Sequence, residues 1–203
     1  SVSCNAQKAV SSKKQVSDLV YPLLDTENSR WFYFSSASRP FGMVNLNPDT
    51  EIKGDWGGGY KYTTDTVKGF SHVHEWQMSG VSVMPVTISK ENKTVVFKDF
   101  YSKFSHKTEI ITPGYHSLKL DRYQITAALT STKRVGFHQY TFPVKGQKAV
   151  LFNLNTVLGP CENTNGTLEK NNDYELSGSL VLSTNFRRPK PLTVYFKIKF
   201  IRF

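Results

Sequence analysis

The feature of this sequence that most constrains its fold is a series of short segments rich in β-branched and aromatic residues. Examples are VSVMPVTIS at 81–89, QITAALT at 124–130 and FHQYTF at 137–142. In the last two, polar and apolar residues alternate with the two-residue period of a strand that has one solvated face. Turn-forming residues separate the segments. The sequence therefore predicts an all-β domain, an antiparallel β-sandwich of the supersandwich type, with few or no long helices.

Composition divides the 203 residues into two parts. Residues 1–17 are polar and lack an apolar period, which predicts a flexible tether. Residues 18–203 are rich in apolar and aromatic side chains and are numerous enough to form one domain with a hydrophobic core. The last strand-like segment runs to the final residue without a turn or a polar tail, so we expect the polypeptide to continue.

Three stretches between the strand-like segments predict turns or loops. NPDT at 47–50 predicts a turn, because proline fixes φ and aspartate can hydrogen-bond the nearby backbone. The three glycines at 57–59 predict a loop in which the backbone takes positive φ or closely approaches a neighbour. The polar stretch 159–173 contains the turn-prone pair Asn165-Gly166 and predicts a long hairpin connection.

The basic residues give no indication of a nucleic-acid partner, although the formal net charge is +10. Phosphate binding needs lysines and arginines clustered on one face. Here they are scattered, and in YFKIKFIRF at 195–203 they alternate with apolar residues, as on the solvated side of a sheet. No run approaches the roughly 18 consecutive apolar residues of a membrane-spanning helix.

The N-terminal sequence SVSCNAQK resembles the end of a bacterial lipoprotein signal, in which the cysteine after the cleavage site is lipidated. We therefore expect Cys4 to be lipidated and the protein to lie in the periplasm or on the bacterial cell surface, with the lipid anchor as its only membrane contact. The alternative is a cysteine without special role in a flexible tail. Only Cys4 and Cys161 are present, which does not indicate a disulfide framework.

The segment GFSHVHEWQMSG at 69–80 is the first candidate site, because it brings two histidines and a carboxylate within four positions. A His-x-His pair on a strand points both imidazoles to one face, which is a start for a zinc site. A third ligand would have to come from Glu75 on the opposite face or from His106, His116 or His138. The sequence does not show that these converge, so we predict no metal ligand in this chain.

Catalytic residues are not evident. Nucleophilic catalysis has no G-x-S-x-G elbow to build on. Glycoside hydrolysis needs two carboxylates on either side of a sugar. The candidates close to the glycines in sequence are Asp49, Asp55, Asp65 and Glu75, and the sequence does not bring any two of them together. We therefore assign no catalytic residue to this chain.

Sugar recognition needs less than catalysis. An aromatic ring stacks on the apolar face of a pyranose, and a few polar side chains bind its hydroxyls. Two neighbouring loops supply this chemistry, and the predicted substrate-binding residues are Trp56, Tyr60, His72, His74, Glu75 and Trp76. The alternative is that the tryptophans fill the ends of the sandwich and the glutamate caps a turn.

Four segments carry a resemblance to a known family. RPFGMVNLNPDT, GGGYKYTTDTVKGFSHVH, TPGYHSLKL and KRVGFHQYTFP, in this order, resemble the N-terminal domain of glycoside hydrolase family 92, the exo-acting α-mannosidases. The resemblance runs from about Leu19 to Phe203. It implies a β-sandwich followed by a larger (α/α)6 barrel, with the active site between the two. It also implies that the barrel supplies most ligands of a calcium ion and the acid and base carboxylates of an inverting reaction.

For this chain the resemblance implies a wall of the substrate pocket. Trp56 corresponds by position to an aromatic residue that the family places against the sugar, and His72 and His74 lie in the corresponding pocket-facing loop. The segment EWQMSGVSVMP is shorter than its family counterpart and adds Glu75 and Trp76 near the expected pocket.

The function expected from the resemblance is that of an N-terminal, pocket-shaping domain of a secreted, calcium-dependent, inverting α-mannosidase-like hydrolase. The substrates would be mannose-containing oligosaccharides, and the protein partner would be its own catalytic domain. The fragment alone is expected to be inactive and to hold no cofactor. The alternative is a stand-alone carbohydrate-binding or surface adhesion module.

Overall fold

The computed structural model describes residues 14–28, 36–54, 56–75, 78–88 and 99–201. Almost all regular structure in these ranges is β-strand, and all of their strand pairs are antiparallel. Two 3₁₀ helices of three or four residues accompany the strands, at Val16–Leu19 and His106–Thr108. The prediction of an all-β fold without long helices is confirmed. Across the described ranges, no helix has the length and apolarity to cross a membrane.

Most of the strands are short, and most of them end where the sequence places turn residues. They are β1 (Asn47–Asp49), β2 (Thr66–Val67), β3 (Gly69–Ser71), β4 (Ser82–Ile88), β5 (Ser102–Lys103), β6 (Ile110–Thr112), β7 (Tyr115–Leu120), β8 (Ile125–Ser131), β9 (Gly136–Thr141), β10 (Gln147–Asn153), β11 (Val157–Leu158), β12 (Cys161–Asn172), β13 (Glu175–Leu182) and β14 (Leu192–Lys199).

Within the described ranges, the strands form three four-stranded sheets and one small pair. The first sheet has the order β1-β3-β4-β10, the second β6-β7-β8-β9 and the third β11-β12-β13-β14, while β2 pairs with β5. The second and third sheets are built mainly from strands that follow one another along the chain. The first sheet instead joins distant segments, since β10 pairs with β4 across the whole second sheet in sequence.

The main hydrophobic core lies between the first and second sheets. Side chains at most 1% exposed come from both: Leu46, Phe70 and Met84 from the first sheet and its approach, and Leu118, Ile125 and Leu129 from the second. The alternating burial of β8 and β9 matches the two-residue period read from the sequence.

A second, smaller core joins the first sheet to the third. Along β10 and just beyond it, Leu151 packs against the main core, whereas Phe152 and Leu154 pack against Leu180 and Leu182 of β13. Successive side chains of a strand point to opposite faces. The first sheet is therefore covered on both faces, and all residues of β1 and β3 are buried.

The turn predicted at 47–50 is wrong. Asn47–Asp49 forms β1 and pairs with Gly69–Ser71, and all three β1 residues are buried. Pro48 is tolerated because β1 lies at the edge of its sheet, where a missing backbone N–H is least costly. The bend follows at Thr50.

The hairpin connection predicted at 159–173 is also wrong, because most of that stretch is the long strand β12. The pair Asn165-Gly166 forms a β-bulge there: the pairing with β13 shifts register between Thr164 and Thr167, and Asn165 has φ 47°. Gly166 packs so closely on Leu154 that an added Cβ would overlap that side chain. Turn-forming residues thus bend a strand instead of ending it.

The remaining expectations fall partly within the described residues. The glycines at 57–59 lie in a loop, as predicted, and the proline-containing stretch 186–191 connects β13 to β14 without joining the sheet. Of the predicted tether, residues 1–13 lie outside the described residues, and the 3₁₀ helix Val16–Leu19 has no buried side chain.

Candidate functional site

Trp56 stands at the start of the glycine loop and is only partly buried. Its indole Nε1 donates a hydrogen bond to the Tyr60 carbonyl oxygen at 3.0 Å. The Lys61 ammonium lies 4.9 Å from the ring centroid, over one face. Since the indole N–H is already bonded within the domain, Trp56 can offer a ligand its ring surface but not its donor.

Backbone hydrogen bonds hold the glycine loop against the segment around β1. The Thr50 and Glu51 N–H groups both donate to the Gly59 carbonyl, at 2.7 and 2.8 Å. The Asn47 side-chain amide donates to the Gly58 carbonyl at 3.2 Å. Because consecutive carbonyls of the loop are bonded, its backbone has little freedom to move.

Glycine is required at two points of this arrangement. Gly59 has φ +73°, and a Cβ there would lie 2.6 Å from His74 Nε2. On the other side of the loop, Gly159 donates its N–H to the Ile52 carbonyl at 3.0 Å, and its Cβ would lie 2.8 Å from the Gly57 nitrogen. The loop that carries Trp56 is therefore packed backbone to backbone from both sides.

His74 lies beneath this loop and is 1% exposed. Its Nδ1 donates to the Asn45 carbonyl at 2.6 Å, and its Nε2 lies 2.7 Å from Asp49 Oδ1. Both ring nitrogens thus face oxygen acceptors, which an imidazole satisfies fully only when both nitrogens carry protons. The ring therefore bridges a backbone carbonyl and a buried carboxylate.

Ser71 completes a buried Ser-His-Asp group that is not a catalytic triad. Its hydroxyl donates to Asp49 Oδ1 at 3.1 Å and lies 3.1 Å from His74 Nε2. In a triad the serine and the carboxylate use different nitrogens of the histidine. Here both face Nε2, and Ser71 is 3% exposed, so the group is a structural anchor.

His72 pairs with His138 rather than with His74. His72 Nε2 lies 2.8 Å from His138 Nε2, and His138 Nδ1 lies 2.7 Å from the Tyr140 hydroxyl. Burial, together with the nearby His74, lowers the pKa of His72 to about 4, although Asp49 acts in the opposite direction. Burial and then His72 hold the pKa of His138 well below its ordinary value.

The two histidines of the His-x-His segment therefore do not converge on a ligand. Across the described ranges, no group of three or more His, Cys, Asp or Glu side chains could hold a metal ion. The zinc alternative finds no support in this part of the chain.

A second buried polar network was missed from the sequence. Glu109, whose side chain is 3% exposed, accepts hydrogen bonds from His116 Nε2 at 2.7 Å, from His106 Nδ1 at 2.6 Å and from the Tyr60 hydroxyl at 3.0 Å. Burial raises the pKa of Glu109, but these hydrogen bonds outweigh it and hold the pKa below its ordinary value. The available signal was the spacing of His106 and Glu109, three residues apart on one helical turn.

This network fixes the far end of the glycine loop. Tyr60 is 1% exposed, and burial followed by the charge of Glu109 raises its pKa well above the ordinary value. Ser36 lies 2.6 Å from His116 Nδ1, which extends the network to the segment after residue 35. Burial lowers the pKa of His116 despite the carboxylate beside it.

The predicted binding residues thus separate into different environments. Tyr60 and His74 are enclosed and hydrogen-bonded inside the domain, so direct contact with a sugar, predicted for both, is not supported by this geometry. Their polar atoms hold the loop from within. Trp56 is partly open, His72 is partly buried in its histidine pair, and Glu75 is exposed and bridges to Met78. A binding role for these three stays a prediction.

Three of the candidates lie outside the described residues. They are the predicted site residues Trp76 and Cys4 and the carboxylate candidate Asp55. Of the other carboxylate candidates, Asp49 is buried against His74, and Asp65 is exposed and pairs with Lys103 at 3.1 Å. Neither is arranged to act on a sugar.

This antiparallel β-fold is shared with known proteins. A profile of the glycosyl hydrolase family 92 N-terminal domain matches residues 19–202. The chain therefore belongs to glycosyl hydrolase family 92 and corresponds to its N-terminal domain, which confirms the family resemblance predicted from the sequence. A comparison with curated proteins found no match.

Solved structures of this family share the fold. A family GH92 alpha-mannosidase from Bacteroides thetaiotaomicron is 24% identical and superposes with a TM-score of 0.77, covering 92% of this chain and 26% of its own. The GH92 glycosyl hydrolase ccman5 is 22% identical, with a TM-score of 0.69 over 89% of this chain and 26% of its own. A family GH92 inverting mannosidase from Bacteroides thetaiotaomicron VPI-5482 is 22% identical, with a TM-score of 0.59, 93% of this chain and 30% of its own.

The substitution Gly59→Ala tests whether the loop is locked against His74. Both Gly59 and the control Gly54 have positive φ, so alanine at either costs about 1–2 kcal/mol of backbone strain. A Cβ at Gly59 would collide with His74 and Asp49, whereas nothing lies within 4 Å of a Cβ at Gly54. We expect Gly59→Ala to lower the free energy of unfolding, measured by urea denaturation, clearly more than Gly54→Ala. Equal losses would show that the loop is not locked.

Acidification tests the histidine pair. The folded pKa of His72 is about 4 against an ordinary 6.5, so the folded state binds fewer protons than the unfolded chain. The contribution of the pair to stability is complete above pH 6.5 and declines as the pH falls towards 4. We expect the double variant His72→Gln with His138→Gln to lose less stability than the wild type between pH 7 and pH 4.5, by urea denaturation. Parallel losses in both proteins would contradict this assignment.

Proposed function

We propose that this chain is the pocket-shaping N-terminal domain of a secreted, calcium-dependent, inverting α-mannosidase-like glycoside hydrolase that acts on mannose-containing glycans. The observation that carries the proposal is the match of residues 19–202 to the family 92 N-terminal domain. The chain spans about a quarter of the length of the solved relatives it resembles. The remaining polypeptide, the catalytic domain, is the proposed partner.

The chemistry of the described residues supports a division of labour between the two domains. An inverting hydrolase needs one carboxylic acid for the leaving group and one carboxylate for the water on the opposite face of the sugar. Asp49 and Glu109 are buried among internal hydrogen-bond partners, and Asp65 is paired on the surface. We infer that the acid and the base belong to the catalytic domain and that this domain alone is inactive.

Trp56 is the proposed contribution of this chain to the pocket. Its ring is partly open, and stacking on the apolar face of a pyranose requires a flat aromatic surface held in a fixed orientation. The bonded glycine loop supplies that fixed orientation. The side chain loses little freedom on binding, which favours affinity.

Calcium does not fit the described part of this chain. A calcium ion needs six to eight oxygen ligands, several of them carboxylates. Among the described residues, no group of three or more His, Cys, Asp or Glu side chains could hold a metal ion. In the proposal, calcium is therefore held by the catalytic domain, and no step on this chain depends on it.

Export with a lipid anchor on Cys4 is the proposed location, supported by the small residues before that cysteine and the polar stretch after it. It places the protein in the periplasm or on the bacterial cell surface. Fractionation of cells that express the full-length protein should find wild type with the membranes and Cys4→Ala in the soluble fraction. Equal partition of the two proteins would contradict the anchor.

The function is tested by assaying the full-length protein on α-mannosides. We expect mannose release that a calcium chelator abolishes and added calcium restores. Trp56→Ala should lower kcat/KM about tenfold, the loss expected for about 1.4 kcal/mol of stacking, while Trp56→Phe keeps most of the activity.

The opposite results are equally clear. Absence of hydrolysis on any α-mannoside, with glycan binding retained, would favour the stand-alone binding or adhesion module. Hydrolysis that Trp56→Ala leaves unchanged would remove this residue from the pocket while leaving the enzyme assignment intact.

A further inference from the structure

Phe41 is in an unfavourable state in two independent ways. Its side chain is 99% exposed, although a phenyl ring gains free energy on burial. Its backbone has φ 58°, in a region that costs a bulky L-residue about 1–2 kcal/mol. The Gly42 N–H donates to the Arg39 carbonyl at 3.0 Å, so a hydrogen-bonded turn holds the ring outward. Backbone strain of this kind persists where the surrounding structure enforces it, and strained residues cluster at binding and other functional sites.

The turn is joined to a second exposed turn. The Met43 N–H donates to the Lys133 carbonyl at 2.7 Å, and the Thr132 N–H donates to the Val135 carbonyl at 2.8 Å. Met43 is 71% exposed and Val135 is 50% exposed. The two turns form one surface, the Phe41 patch, which consists of Arg39, Phe41, Met43, Lys133, Arg134 and Val135.

The charge of the Phe41 patch has one sign. Arg39, Lys133 and Arg134 are all exposed. The segments that form the patch and flank it, 36–46 and 131–138, contain no Asp or Glu. None of the three basic residues takes part in an ion pair within the described part of the chain. A complementary surface would combine an apolar recess with a rim of carboxylates.

We propose that the Phe41 patch docks this domain onto the catalytic domain of the same protein, with Phe41 inserted in an apolar recess that acidic residues surround. The inference rests on the proposed function, because it needs the polypeptide that makes up the other three quarters of the solved relatives. Aromatic residues, methionine and arginine are enriched in protein–protein interfaces. A phenylalanine flanked by arginines is therefore suited to anchor such an interface. Burial on docking would also offset the strain at Phe41.

Docking at this patch would act directly on the candidate site. The segment that leaves the patch carries Asn45, whose carbonyl accepts from His74 Nδ1 at 2.6 Å, and continues into β1 with Asp49. His74 and Asp49 in turn pack against Gly59 of the glycine loop, which carries Trp56. One continuous, hydrogen-bonded segment thus connects the docking surface to Trp56. The patch would set the position of Trp56 relative to the catalytic carboxylates.

Hydroxyl-radical footprinting of the full-length protein tests the proposal. Phe186 is the internal control, since it is an aromatic residue that is 84% exposed and lies beside arginines on another connection. We expect Phe41 to be protected from oxidation relative to Phe186, at all protein concentrations. Oxidation of both at similar rates would overturn the proposal. Protection that grows with protein concentration would also overturn it, because it would indicate a second copy of the chain.

Two variants add a functional readout. Asparagine tolerates positive φ, so Phe41→Asn removes the ring without adding strain. We expect it to lower kcat/KM on an α-mannoside about tenfold or more, as the loss of a hot spot does. Phe186→Asn should leave kcat/KM unchanged. Unchanged activity in both variants would count against docking.

Failure of the docking proposal can be told from failure of the proposed function. A protected Phe41 in a protein without α-mannosidase activity supports docking and contradicts the function. An oxidised Phe41 in an active enzyme contradicts docking and leaves the function standing. A polypeptide that ends shortly after Phe203 contradicts both.

Discussion

The buried pair of His74 and Asp49 is the interaction on which the site depends. The imidazole links the Asn45 carbonyl to the Asp49 carboxylate and so ties the chain after β3 to the chain before and within β1. Gly59 packs directly on both side chains. Removing one partner would leave buried polar atoms of the other without a hydrogen bond, which costs about 1–3 kcal/mol. The pair therefore acts as an anchor for the whole surface above it.

The glycine loop, which carries Trp56, is rigid because of this anchor. Hydrogen bonds from Thr50, Glu51 and Asn47 bind consecutive glycine carbonyls, and the hydroxyl of Tyr60 is bound to Glu109 at the far end. A glycine-rich loop is flexible in isolation, because glycine loses more conformational freedom on folding than any other residue. Here polar groups buried beneath the loop offset that entropy. The aromatic ring is consequently presented in one orientation, as a sugar platform requires.

The sequence predicts the strands better than it predicts the site. In strands such as β8, apolar and polar residues alternate with a period of two. The burial of the side chains follows the same alternation. The strand β1 and the bulge at Asn165 were predicted as turns, because Pro and Asn-Gly signal turns locally while partner strands decide their actual pairing. Histidine is a residue type common in binding pockets, and only the tertiary structure shows that His74 is buried inside the domain. Glu109 meets Tyr60 across 49 residues, a distance that no local pattern reports.

The central claim is that buried polar groups lock the loop that presents Trp56. Amide hydrogen exchange, measured residue by residue by NMR, tests it most directly, since exchange reports how often a backbone hydrogen bond opens. The account predicts that the N–H groups of Thr50 and Glu51, which donate to Gly59, exchange as slowly as those of the central strand β8. Exchange at the rate of an open surface loop would contradict it.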